Sequence, residues 1–368
     1  MKIIVFTFAS ANNYGSKLQA YSLYRYLTEQ GHKVDIAVVK NATLSDYFAA
    51  AFDLLIYRNL LWPFNKHARS YKKSLKAAVK TKTGILVNEI TFDGYNEHLR
   101  IVSRSKLRKL NNDYDVFISG SDQVFSPLRI PLKKYYFLTF AHKRKISYAA
   151  SFGVDVFPKF NRSIFRYIER FDYVSVREST GKTFIDNNCR GVDCSVVLDP
   201  VFLIPRSEWE SKTAMAGYDK KYVFVYFLNK ADDTISKIIS YCESNGIEIR
   251  TPEDAAPENF LNLIANAECV CTDSFHAVAF SIIFRKDFLC FMRNIDPAIQ
   301  QESRIVDLLK RLSIKNRYFE RFDDSCFACE PIDYACVETV LNEQIRKSKR
   351  FLEESLRSIN DAVLPDNS

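Results

Sequence analysis

The first forty residues place one helical stripe between two short apolar runs, and that order commits the chain to a parallel α/β sheet. Lys2–Phe8 reads as a buried strand, Lys17–Gln30 as an amphipathic helix and Val34–Val39 as a second strand. A strand that is followed by a helix returns to the same edge of its sheet, so parallel pairing with a right-handed crossover follows. Further strands are predicted at Asp115–Ser119, Ile146–Ser151, Tyr173–Val176 and Ser195–Leu198, with helical stretches at Lys159–Arg170 and Ser179–Asn188 between them. This half reads as an open, doubly wound sheet.

The alternation pauses after Asp199-Pro200 and the stretch Pro205 to Asp219, then restarts. Strands are predicted at Tyr222–Leu228, Ile247–Arg250, Cys269–Thr272 and Phe288–Met292, with helices at Asp232–Ser244, Glu258–Ala267 and just after Thr272. A chain of 368 residues with 47% hydrophobic content exceeds one ordinary core, so two α/β domains are expected. The division predicted is residues 1–205, residues 206–330 and a C-terminal segment, 331–368, whose charged amphipathic helix (Asp333–Asp361) crosses back to brace the first domain.

Charge and cysteine usage limit the class only loosely. The net charge of +8 permits acidic ligands, anionic lipid or nucleic acid and selects none of them. The opening strand leaves no room for the apolar core of a signal peptide before Asn12 and Asn13, so a cytoplasmic protein is expected. Nine cysteines fit that compartment, with Cys194, Cys242, Cys269, Cys271 and Cys290 in apolar patterns that read as small core residues. Cys326 and Cys329 form a C-x-x-C, but no second pair follows at zinc-like spacing, and a metal site is not expected there. Residues 44–82 break the α/β rhythm. An apolar stripe from Tyr47 to Phe64, with Trp62, precedes Lys66, Arg69, Lys72 and Lys73. That pattern suits an interfacial membrane helix or an inserted helical hairpin packed on the sheet, and it is too short to span a bilayer.

In an open α/β sheet the ligand lies beyond the carboxyl ends of the strands, so polar residues there are the candidates for chemistry. Asn13-Tyr14-Gly15-Ser16 follows the first strand, and Gly15 would permit close backbone approach to a ligand. Ser121-Asp122 follows the strand ending at Ser119, where Asp122 is either a helix cap or a functional carboxylate. Ser151 follows the next strand, and Arg177 the one after it. Arg177 could grip a phosphate or carboxylate bidentately, or pair with Glu178 or Asp199 as a brace. In the second half, Thr272-Asp273-Ser274-Phe275-His276 joins a strand to a helix whose free amides favour an anion. His276 is the only histidine of that half, and its alternative reading is a packed imidazole bonded to a carbonyl. Arg304, near a helix start, is the second cationic candidate, or an ordinary solvated arginine. No G-x-S-x-G elbow, P-loop lysine or H-E-x-x-H occurs, which removes the common hydrolase, nucleoside triphosphatase and zinc protease readings.

Taken in order, Asn13-Tyr14-Gly15-Ser16-Lys17-Leu18-Gln19, Gly120-Ser121-Asp122-Gln123, Ser151-Phe152-Gly153, Val176-Arg177-Glu178, Asp199-Pro200, Thr272-Asp273-Ser274-Phe275-His276 and Ser303-Arg304 resemble the polysaccharide pyruvyl transferase family. Two departures are Ala277, where the family usually has Gly, and Ser16, where some relatives carry Asp or Asn. The resemblance implies two Rossmann-like domains resembling the B-type glycosyltransferase fold, with a long C-terminal helix. It implies transfer of a pyruvyl unit from phosphoenolpyruvate to two hydroxyls of a cell-surface polysaccharide sugar or its lipid-linked precursor, as a cyclic ketal. In that chemistry His276 is the expected acid and Asp122 the expected base. Arg177 and Arg304 would hold the anions with Ser274 and the helix start, while Asn13, Gly15, Ser16, Ser121, Ser151 and Asp273 complete the substrate-binding set. The scheme needs no metal, nucleotide or other cofactor and no nucleic acid. A lipid-linked acceptor would also suit peripheral contact of residues 44–82 with the inner face of the cytoplasmic membrane. The rival expectations are a nucleotide-sugar glycosyltransferase of the same fold and a non-catalytic carbohydrate-binding or assembly protein.

Overall fold

The computed structural model describes residues 1–9, 13–40, 90, 92–127, 134–213, 220–229, 233–252, 256–293 and 303–357. The segment 44–82 lies outside them.

The first sheet is built from β1 (Lys2–Phe6), β2 (Lys33–Val39), β3 (Leu99–Val102), β4 (Val116–Ser119), β5 (Arg144–Ala150), β6 (Tyr173–Val176) and β7 (Cys194–Val196). Its order is β3-β2-β1-β4-β5-β6-β7, with every pairing parallel. The order reverses between β1 and β4, which opens the crevice that this topology uses for ligands. Helix α1 (Tyr14–Glu29) makes the first crossover, and α2 (Ser179–Asn188) joins β6 to β7. Central strands of such a sheet are covered on both faces, which is why β4 reads Val-Phe-Ile-Ser with no exposed residue. The helical stretch expected over Lys159–Arg170 is a 3₁₀ segment at Lys159–Ile164 that runs into one α turn at Phe165–Ile168.

The second sheet contains β8 (Tyr222–Tyr226), β9 (Glu248–Arg250), β10 (Cys269–Thr272), β11 (Asp287–Phe291) and β12 (Tyr318–Phe319), ordered β12-β11-β10-β8-β9 and again parallel. Helices α3 (Arg206–Ser211), α4 (Asp233–Ser244), α5 (Pro257–Asn266), α6 (Phe275–Ile283) and α7 (Ser303–Arg311) accompany it. Two doubly wound parallel sheets joined near residue 200 are the architecture expected from the alternation.

One apolar cluster runs without interruption from β1 and α1 through Trp209 to α5, α6 and β8, so the two halves share a core. Trp209 is fully buried, donates Nε1–H to the Val201 carbonyl at 3.0 Å and meets Tyr21 and Phe280 edge-on. Burying one such ring contributes about 2–3 kcal/mol. Tyr14 of α1 stacks on Phe260 of α5 at 4.7 Å and 8°, a second aromatic contact between the halves. The C-terminal helix α8 (Tyr334–Leu356) starts on the second sheet, where the Tyr334 hydroxyl donates to the Ser281 carbonyl. It ends on the first, where Ser348 Oγ accepts from Leu198 N at 2.9 Å and the Ser355 carbonyl accepts from Arg144. Arg311 of α7 adds bonds to the Arg177 and Val197 carbonyls and to Gln344 of α8. These bonds hold the carboxyl ends of both sheets toward one another.

Candidate active site

The site is assembled from strand ends. Asn13 caps α1 by accepting from Ser16 N at 3.2 Å, which fixes buried Ser16 in the first helical turn. Ser16 Oγ then donates to Asp122 Oδ2 at 2.7 Å. Asp122 itself holds φ 68 and ψ −172, a conformation that non-glycine residues adopt only under constraint. The constraint is visible: its Oδ1 accepts from Gln123 N at 2.9 Å, and its carbonyl accepts from Ser151 N at 2.9 Å. A register shift in β5, with Ala149 at φ 49, sets the exit of that strand toward the crevice.

Asp199 is the hub of the arrangement. Its Oδ2 accepts from Arg177 Nη1 at 2.6 Å and from Ser121 Oγ at 2.8 Å, and its Oδ1 accepts from Val201 N at 3.2 Å. His276 Nε2, from the second half, stands 3.6 Å from the same Oδ2, a charge-range separation with no formed hydrogen bond. Arg177 Nη2 lies 4.0 Å from Asp122 Oδ1, and its guanidinium rests 4.1 Å from the ring centroid of Phe275 on α6. The Nε and Nη2 of Arg177 are buried and bond to nothing among the described residues.

The electrostatics follow from burial and company. Burial would raise the Asp122 carboxyl, but Arg177, His276, the Ser16 hydroxyl and Arg304 together hold it below the ordinary carboxylate range. Asp199 is likewise buried yet held well below that range by His276 and Arg177. Arg304, at the start of α7, is 8% exposed and is pushed down to about 10, first by burial and then by the charges of Arg177 and Arg293. Glu178 and Asp122 pull it the other way. The charge of Arg177 thus weighs on Arg304, whereas Arg177 itself is buried yet has its charge favoured by Asp199, Asp122 and Glu178. An anion beside Arg304 would offset the charges that press on it.

Gly15 lies directly against the second half. A Cβ on it would lie 2.0 Å from His276 Nδ1 and 2.2 Å from its Cγ, so the neighbour that needs the bare backbone is the imidazole of the second half. Ser274 caps α6, its Oγ accepting from Ala277 N at 3.5 Å, and this fixes His276 in the first helical turn.

Asp273 and Ser151 both bond to neighbouring strand ends. The carboxylate of Asp273 accepts from Leu228 N, Asn229 N and Arg293 Nε at 2.7, 3.1 and 2.9 Å. It thereby ties the ends of β8 and β11 together. Ser151 Oγ donates to Glu178 at 2.9 Å and accepts from Gly153 N at 3.1 Å. The structure thus brings His276, Asp122, Ser16, Ser121, Arg177 and Arg304 around one crevice, with Asn13, Gly15 and Ser274 shaping it. Of the two carboxylates that the sequence offers as a brace for Arg177, Asp199 forms the pair and Glu178 does not, while the further bonds of Asp199 to Ser121 and its place beside His276 were not expected. A carboxylate at the last strand end of the first half was the available signal for Asp199. Among the described residues, no group of three or more His, Cys, Asp or Glu could hold a metal ion, and no helix is long and apolar enough to cross a membrane.

A family model described as polysaccharide pyruvyl transferase matches residues 13–294. No curated protein matches the sequence. Among solved structures, a UDP-GlcNAc 2-epimerase from Methanocaldococcus jannaschii in complex with UDP-GlcNAc and UDP is similar at TM-score 0.44 and 12% identity, over 96% of this chain and 99% of that one. The E. coli heptosyltransferase WaaC with ADP is similar at TM-score 0.37 and 12% identity, over 94% and 100%. These likenesses are loose, and the two-sheet fold stands on the strand order itself.

Proposed function

The chain belongs to the polysaccharide pyruvyl transferase family, and from that premise we propose that it transfers a pyruvyl unit from phosphoenolpyruvate to two hydroxyls of one sugar. The observation that carries this reading is the gathering of two buried arginines, Arg177 and Arg304, with His276 and the carboxylates Asp122 and Asp199. Such a crevice suits a small ligand bearing both a phosphate and a carboxylate.

In the proposed reaction His276 donates a proton to the methylene carbon of phosphoenolpyruvate, and positive charge develops at the neighbouring carbon. A sugar hydroxyl oxygen bonds to that carbon while its proton passes to Asp122, whose carboxylate is held ionised for the task. The bond from that carbon to the phosphate oxygen breaks, phosphate leaves between Arg177 and Arg304 with the proton held on Asp122, and the second hydroxyl closes the ketal as its proton passes to the His276 imidazole, which restores the acid. Asp199 acts through others: it fixes Arg177 by a 2.6 Å bond and faces His276 Nε2. The scheme uses no metal or nucleotide. The acceptor is a sugar of a polysaccharide or its lipid-linked precursor. Contact of residues 44–82 with a membrane surface belongs to the same proposal, and an unchanged soluble fraction after deletion of 44–64 would count against it.

The test is incubation with phosphoenolpyruvate and a panel of galactosyl, mannosyl and N-acetylated acceptors, read by mass spectrometry. A pyruvyl mass gain that is lost in His276→Gln supports the proposal. No gain with any acceptor, together with tight binding of a nucleotide sugar, would replace it with a glycosyltransferase of the same fold.

A further inference from the structure

Glu178 ends the same strand as Arg177 and precedes α2, yet its side chain makes no capping bond to that helix. It turns instead toward the end of β5, where Oε1 accepts from Ser151 Oγ at 2.9 Å and from Phe152 N at 3.0 Å. The residue is 2% exposed, and its Oε2 is buried with no hydrogen-bond partner among the described residues. A buried carboxylate with one oxygen unserved is costly unless cations stand near it. The charges of two cations reach it, Arg177 from its own strand end and Arg304 from the second half, although neither forms an ion pair with it among the described residues.

The balance at this group is close. Burial pushes the Glu178 carboxyl up, while Arg177, Arg304, the Ser151 hydroxyl and the Phe152 amide pull it down, and burial prevails. The other charges on Arg177 are Asp199 at Nη1 and Asp122 near Nη2, with His276 beyond Asp199. An anion seated between Arg177 and Arg304 would cancel the attraction that favours the charged form of Glu178.

We infer that Glu178 is the resident counter-ion of the anion seat and takes up a proton from solvent when a phosphoryl or carboxylate group binds between Arg177 and Arg304. This rests on the proposal that those arginines hold the donor. Glu178 is then a positioning residue that couples donor affinity to pH. Between the titration of Glu178 in the free protein and its higher titration in the complex, affinity falls with rising pH by up to about tenfold per unit, because each binding event must draw a proton from a scarcer supply.

Sulfate is the suitable probe, since it is a dianion that does not titrate near neutrality and any proton taken up belongs to the protein. Titration calorimetry of the full chain across a pH series, in two buffers of different ionisation heat at each pH, reads the uptake directly, and it should rise toward about one proton per sulfate within one window of that series. Glu178→Gln keeps an acceptor oxygen for Ser151 and Phe152 but cannot titrate, so its uptake should fall toward zero and its affinity should lose the pH slope. His276→Gln should keep the uptake. Sulfate binding in the wild-type protein with no proton uptake would overturn the inference without recourse to any variant, as would loss of the uptake in His276→Gln. Absence of binding by both sulfate and phosphoenolpyruvate would overturn the anion seat itself, and this inference with it.

Discussion

Asp199 Oδ2 and His276 Nε2 stand 3.6 Å apart although one closes the first half of the chain and the other opens a helix of the second. The same oxygen bonds Arg177 and Ser121, so a single buried carboxylate sets the proposed acid and the proposed anion-binding arginine against each other. Replacing it should therefore disturb stability and chemistry together.

Asp199→Asn leaves the fully buried Arg177 without its closest counter-charge. The expected cost is about 3–5 kcal/mol of folding stability, read by urea denaturation, with loss of transferase activity in the folded remainder. A stability change within about 0.5 kcal/mol of wild type would show that the pair contributes little.

Gly15→Ala places a methyl group where the His276 ring now sits, 2.0 Å from Nδ1. Either the ring or α1 must move. Overpacking should cost about 1–3 kcal/mol, and displacement of the ring by about 1 Å should lower kcat about 100-fold. An alanine variant with wild-type turnover would show that His276 does not act from its observed position.

Arg177→Lys keeps the charge but cannot bond Asp199, lie near Asp122 and cover the Phe275 ring at once. A fall of about 100- to 1,000-fold in kcat/KM for the donor is expected, with KM rising. Unchanged donor KM would remove Arg177 from the anion seat.

Asp122 and Asp199 titrate below the ordinary value of 3.8 in the folded chain. A carboxyl with a depressed folded pKa binds fewer protons in the native state than in the unfolded one. Its stabilisation is complete above the ordinary value and is lost as the pH falls through the folded one. Denaturation midpoints should thus hold at about pH 6 and drop by about pH 3, and Asp122→Asn should drop less. Equal slopes for the two proteins would refute the assignment.

Much of the fold was legible in the sequence. Tyr173–Val176, Ser179–Asn188 and Cys269–Thr272 match their predicted ends at both termini, because a buried strand or amphipathic helix writes its own period into neighbouring residues. Strands β3 and β12 were not legible. Each is short and lies at a sheet edge, and Arg100 and Ile101 of β3 are exposed, so no apolar run marks them.

By itself the sequence determined two parallel α/β halves, the polar residues at their strand ends and the family to which their order belongs. Only the tertiary structure decided which of those residues meet. It pressed His276 against Gly15, joined Ser16 to Asp122, made Asp199 the shared partner of Arg177 and Ser121, and bonded Ser151 and Asp273 to neighbouring strand ends. The reason is range: periodicity encodes what lies within one strand or helix, whereas these contacts depend on how two separate sheets pack across a common core.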